Sequence, residues 1–209
     1  MKFKHFILTR YALRATELRV KLTPDWFPHR LELFRNITLP SVNRQTVDGF
    51  VWLIYFSPEY MKDMGEAVHV MTRCPFACPV VIDKGCFEEF NDEMRASMDK
   101  WLTDETHVIS TRLDNDDEIA PDFLELVQAQ FKGQDKTFVN FTNGRNKTKD
   151  GFVLHPHPSN MFVSLIEKRE GFEGIFTWAH NMVDKVGPVI QLPQEDRWTH
   201  HIHGRNVWL

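Results

Sequence analysis

The chain has 209 residues, 42% hydrophobic and 26% charged, the balance of an ordinary globular protein with length enough to bury one sizeable core. A formal charge of −4 excludes a general electrostatic pull toward nucleic acid. No run approaches the roughly 20 apolar residues of a membrane-spanning helix, and three cysteines are too few, and odd in number, for a disulfide framework.

The opening "MKFKHFILTRYALR" has only a short apolar run, broken by Arg10 and Arg14, so it does not read as a secretory signal. A cytoplasmic protein is expected, with peripheral contact to a membrane left open. "FKHFILT" (Phe3 to Thr9) reads as a buried strand. A helical stretch follows around Leu31, Phe34 and Ile37, stopped near Pro40, where a second short helix begins. "FVWLIYF" (Phe50 to Phe56) holds no polar residue and reads as a central strand, with Ser57 and Pro58 as the cap and first turn of a helix. "AVHVM" (Ala67 to Met71) reads as a third strand.

Cys74, Cys78 and Cys86 with His69 match no common zinc spacing, and idle thiols are the plainer reading. From Phe87, residues Phe90, Met94, Met98 and Trp101 recur at helical spacing. "HVISTRL" (His107 to Leu113) alternates as a strand, and Pro121 opens a helix through Phe131. "TFVNF", "GFVLH" and "MFVSLIE" are further strands, Asn143-Gly144 signals a turn, and a short helix spans Ile175 to Val183. This alternation predicts an α/β fold, Rossmann-like, with a mostly parallel sheet flanked by helices.

Between strand and proline lies "LDNDDEIAPDFLE", with Asp114, Asp116, Asp117, Glu118 and Asp122 crowded together. Ligands bind beyond the carboxyl ends of strands in such sheets. Alternate carboxylates there suit Mg²⁺ or Mn²⁺, while a solvated acidic turn that starts a helix is the competing reading.

The segment resembles the Asp-X-Asp stretch of the GT-A glycosyltransferases. Together, "FILTRY", "LFRNITLPSVNRQT", "FVWLIYF" and "STRLDNDD" resemble a bacterial rhamnosyltransferase family, over at least Phe3 to Leu124, with "HHIHGRNV" continuing the likeness. The resemblance implies one transferase domain over 1–209, with a nucleotide-binding half to about 125 and an acceptor half from about 126. It implies a nucleotide-sugar donor, a glycan or small hydroxyl acceptor, and Mn²⁺ or Mg²⁺. Thr9 and Arg10 would line the nucleotide pocket with Arg112 and Asp114. Asp114 and Asp116 would bind metal, completed by His203 with His201 second in line, and Asp117 in reserve. "SPEY" departs from the acid pair that many relatives carry after the second strand, leaving Glu59 or Ser57 as the base contact. "QEDRW" supplies Glu195 and Asp196, of which Asp196 is the expected general base.

Two other functions remain open. A nucleotidyltransferase would also use aspartates and metal, although "FILTRYALR" lacks the glycines of a phosphate loop. A non-catalytic glycan-binding module would draw on the six tryptophans and seventeen phenylalanines.

Overall fold

The computed structural model describes residues 1–13, 25–82 and 87–206; Arg14, Cys86 and the end of "HHIHGRNV" lie outside the described residues. β1 (Phe3–Ala12) runs through the middle of the molecule. Its neighbouring side chains point to opposite faces, so Ile7 enters one core and Phe6 and Leu8 the other. An apolar run without alternation is therefore what a strand buried on both faces requires. β2 (Val51–Phe56) repeats the pattern, buried at every position.

Between them, α1 (Trp26–Leu33) passes through a π-helical turn (Phe34–Thr38) into α2 (Leu39–Asn43). Pro40 was expected to stop the helix. Instead the widened turn, with Leu39 N–H donating to Phe34 O, carries the chain past it. After β2 the 3₁₀ turn Pro58–Tyr60 leads to α3 (Gly65–Met71). "AVHVM" is thus helical, not a strand: Ala67 and Met71 are its buried positions, at helical spacing, and continue from the buried N-cap Met64. β3 (Ala77–Val81) carries Pro79, tolerated because β3 is an edge strand. α4 (Phe87–Asp99) lays Phe90, Met94 and Met98 on the second core, whereas Trp101 lies beyond its end and is exposed.

β4 (His107–Arg112) pairs in parallel with β1, opposing Leu8 to Arg112. β5 (Glu118–Ile119) and α5 (Phe123–Gln128) follow, α5 being shorter than the expected run to Phe131. β6 (Thr137–Phe141), β7 (Asn143–Thr148), β8 (Gly151–Pro156) and β9 (Ser164–Lys168) come next. Asn143-Gly144 opens β7 rather than turning the chain; the turn falls at Lys149-Asp150, before Gly151 at φ 127°. The expected helix over Ile175 to Val183 is two 3₁₀ turns, Ile175–Thr177 and His180–Lys185. β10 (Val189–Leu192) and β11 (Trp198–His201) complete the chain.

The larger sheet has the order β10-β6-β9-β4-β1-β2-β3, and β9 is antiparallel to both neighbours while the other pairs are parallel. The second sheet has the order β5-β11-β7-β8. Among the described residues no helix is long and apolar enough to cross a membrane.

Candidate active site

The loop from Leu113 to Asp117 joins the two sheets, leaving β4 and entering β5. Leu113 N–H donates to Leu8 O at 3.1 Å, so the strand pairing persists to the edge of the loop. Thr9 is fully buried there; its hydroxyl donates to Leu113 O at 2.7 Å and accepts Trp52 Nε1–H at 2.9 Å. Thr9 therefore braces the loop at the carboxyl end of β1. Asn115 Nδ2 donates to Tyr11 O at 2.9 Å and its Oδ1 accepts Arg30 Nη1–H at 3.1 Å. The loop is thus tied to β1 and α1 through the residue between the two expected ligands.

The acids then divide among different cations. Asp114 pairs with Arg112 at 3.0 Å. Burial works against its charge, but Arg112 and Arg10 outweigh that and hold its pKa below the usual carboxylate range. Arg10 and Arg112 both lie over the ring of Phe176, at 4.5 and 5.6 Å from its centroid. Burial, and then the like charge of Arg112, lower the Arg10 pKa to about 10, which still leaves it charged at neutral pH. Two guanidinium groups against one carboxylate leave a positive excess, and Arg112 Nε is buried without a hydrogen-bond partner. Such a place has capacity for an anion.

Asp116 is only 5% exposed. Its Oδ2 meets the guanidinium of Arg30, His203 Nε2 at 2.9 Å and Asn206 Nδ2 at 3.4 Å. Arg30 is itself buried, stacks over Trp26 at 5.1 Å and donates to Arg205 O at 3.2 Å. The C-terminal segment thus closes over the aspartate. A carboxylate with an imidazole beside it suits Mn²⁺ better than Mg²⁺, and the Asp116 oxygen that would serve such a cation is the one held here by Arg30. Among the described residues, however, no three His, Cys, Asp or Glu side chains stand together at ligand spacing.

Asp117 has no exposed surface. It accepts His201 N–H at 2.8 Å and faces His200 Nδ1 at 3.1 Å from each oxygen. Burial pushes its pKa up, the hydrogen bond from His200 opposes this, and Asp116 and Asp114 push it further up. Burial disfavours charge on His200, but Asp117 and the neighbouring aspartates outweigh it and raise the His200 pKa. Because strand side chains alternate, His201 turns the other way and meets Glu118 at 3.5 Å, not the aspartates; Glu118 also accepts from Arg44 at 3.0 Å.

Asp196 and Glu195 lie in an open cleft with Glu118, Arg44, Arg145 and Arg197. Asp196 has the left-handed φ of 59°, donates its N–H to Asn143 O at 3.0 Å and sits 2.6 Å from Arg145 Nε. Glu59 is exposed on the 3₁₀ turn after β2. Cys74 and Cys78 are free thiols, with Cys74 Sγ donating to Asn43 Oδ1 at 3.0 Å. Sequence reasoning missed Arg30, Phe176, His200 and Asn115. The histidine cluster pointed to the right strand for His200, whereas nothing in the sequence marked Arg30 or Phe176.

A family profile described as "Putative rhamnosyl transferase" matches residues 5–208. Among solved structures, that of S. aureus TarS residues 1–349 in complex with UDP is similar, with a TM-score of 0.55 at 10% identity, covering 97% of this chain and 61% of that one. A second structure of S. aureus TarS 1–349 gives 0.56 at 10% identity, over 96% of this chain and 60% of that one. The chain therefore spans about three fifths of the length of these structures. Identity so low shows the fold alone, and the expected GT-A-like α/β architecture is borne out. No curated protein matches the chain.

Proposed function

The chain belongs to the family described as "Putative rhamnosyl transferase", and on that premise we propose that it moves a sugar, rhamnose, from a nucleotide donor to a hydroxyl acceptor. The observation that carries the reading is the anion-ready pair Arg10 and Arg112 beside Asp114, at the carboxyl ends of β1 and β4. Rupture of the glycosyl–oxygen bond leaves a nucleoside diphosphate whose negative charge grows as the bond breaks. Fixed guanidinium groups aimed at that charge stabilise the transition state more than the ground state. Phe176 holds both groups in place, and Asp114 keeps them from collapsing onto other anions when no donor is bound.

Asp116 and His203 are the residues that would hold Mg²⁺ or Mn²⁺, and when bound the cation supplies further neutralisation of the departing diphosphate. On the acceptor side, Asp196 is proposed to take the proton of the attacking hydroxyl. Its pairing with Arg145 keeps the carboxylate oriented into the cleft. Glu195 is the alternative base on the same turn.

The test is product identity. Incubation with dTDP-rhamnose, a panel of hydroxyl acceptors and Mg²⁺ or Mn²⁺ should release nucleoside diphosphate. Asp116→Asn should lower that release by roughly 10²-fold or more, the scale of losing a charge-stabilising group; because it also takes the carboxylate from the buried Arg30 guanidinium, its Tm should fall, and release is measured well below that Tm. Release of pyrophosphate would mark nucleotidyl transfer instead. If no nucleotide donor gives either product, the reading fails.

A further inference from the structure

The β7–β8 hairpin carries an exposed apolar run that the proposed reaction does not use. Among the described residues, exposed large apolar side chains are scattered singly except for Phe152, Val153 and Leu154, which are consecutive and 54%, 58% and 65% exposed. Single exposed apolar residues need no explanation, but neighbours on one face do: Phe152 and Leu154 project from the same face of β8, and Val153 from the opposite one. Strand register shows what accompanies it. Lys147 opposes Phe152 and Arg145 opposes Leu154, so these four side chains share one face of the hairpin. The Lys147 ammonium lies 4.3 Å, and the Arg145 guanidinium 5.3 Å, from the Phe152 ring centroid. Lys149 adds an exposed cation at the turn.

We infer that this hairpin docks the protein on an anionic lipid surface. Phe152 and Leu154 would enter the boundary between headgroups and acyl chains, and Lys147 and Lys149 would meet the lipid phosphates, Arg145 being held by Asp196. Charge complementarity selects this occupant over a second copy of the chain. β8 is a free edge, and a twofold contact there would set each basic hairpin against its own copy. Lysines that guard an edge sit on the edge strand, whereas here the edge strand β8 leaves Phe152 and Leu154 open beside Lys147 of β7. β8 is also two strands from β11, which holds His200 and His201. Docking would therefore bring the acidic loop close to acceptors carried on the membrane. The inference does not rest on the identity of the donor.

The test is sedimentation of the whole chain with vesicles containing phosphatidylglycerol, against vesicles of phosphatidylcholine alone. The bound fraction should be about tenfold higher on the anionic vesicles and should fall with added salt. Phe152→Ser with Leu154→Ser, and separately Lys147→Glu with Lys149→Glu, should each abolish the difference. Melting curves should stay within a few degrees of wild type, because Phe152, Leu154 and Lys149 are exposed and Lys147 is half-buried. Equal binding to both vesicle types, or to neither, would overturn the proposal. So would a wild-type dimer in light scattering that the serine variant dissociates.

Discussion

Glu167, on β9, is 1% exposed, and its two oxygens accept the N–H groups of Glu173 and Gly174, each at 2.9 Å. Burial pushes its pKa from 4.5 to about 7, and the two hydrogen bonds offset this only in part. The segment it anchors continues to Ile175, whose N–H donates to Ser110 Oγ at 2.9 Å, and then to Phe176 under the two arginines. A carboxyl group with a raised pKa keeps a proton in the folded chain that the unfolded chain releases. Its contribution to stability is complete below pH 4.5 and is lost as pH rises through 7. The shift corresponds to about 3 kcal/mol at most. Urea unfolding of wild type should therefore weaken between acid and neutral pH by more than that of Glu167→Gln, with the gap approaching that figure. Parallel pH courses would show that Glu167 is ionised throughout. Nothing in the run "MFVSLIE" marks the glutamate as buried, because the backbone groups that solvate it arrive only when the chain folds back. Asp114 and Asp116 were legible for the opposite reason: crowded like charges after a buried strand stand out without any partner. Arg30 was silent because a lone arginine on a helix shows its purpose only beside Asp116.

The elements that were legible are those whose burial leaves no ambiguity in the pattern. β1, β2 and β4 carry apolar side chains to both cores, and no amphipathic helix has that signature. "AVHVM" failed because five residues fit both periods. Asn143-Gly144 failed because the glycine answers a packing need instead of a turn. A Cβ on Gly144 would run into the Trp198 indole, which stacks on Phe162 at 4.9 Å and donates to Phe141 O at 2.7 Å. Trp198 opens β11, the strand that presents His200 to Asp117. Gly144→Ala should therefore cost about 1–3 kcal/mol, as overpacking does, and should also lower turnover by shifting β11. Gly65→Ala is the matched control: nothing lies within 4 Å of its Cβ, and a helical alanine there should be neutral or slightly stabilising. Equal tolerance of both changes would mean that Trp198 does not rest on the β7 backbone.

At the scale of the molecule, neither side of residue 125 forms a sheet of its own. The larger sheet takes β6, β9 and β10 from the second half, and the smaller one takes β5 from the first. The loop carrying Asp114, Asp116 and Asp117 is the joint between the sheets, and it is closed from above by His203 and Asn206. A nucleotide bound at that joint contacts elements that come together only in the complete fold, so it stabilises the folded state as a whole. At a free concentration about 100 times Kd, a ligand specific for the folded state adds about 2.7 kcal/mol. For a chain of this length that corresponds to a rise of roughly 5–10 °C in Tm. dTDP should give the shift in the presence of Mn²⁺ or Mg²⁺, with UDP and GDP smaller. Arg112→Met should keep the unliganded Tm near wild type and lose most of the rise if the proposed contact of Arg112 with the diphosphate holds. A full rise in that variant would move the diphosphate away from the Arg10 and Arg112 pair and toward Arg30. Silence from all three nucleotides would remove the nucleotide site from the joint altogether.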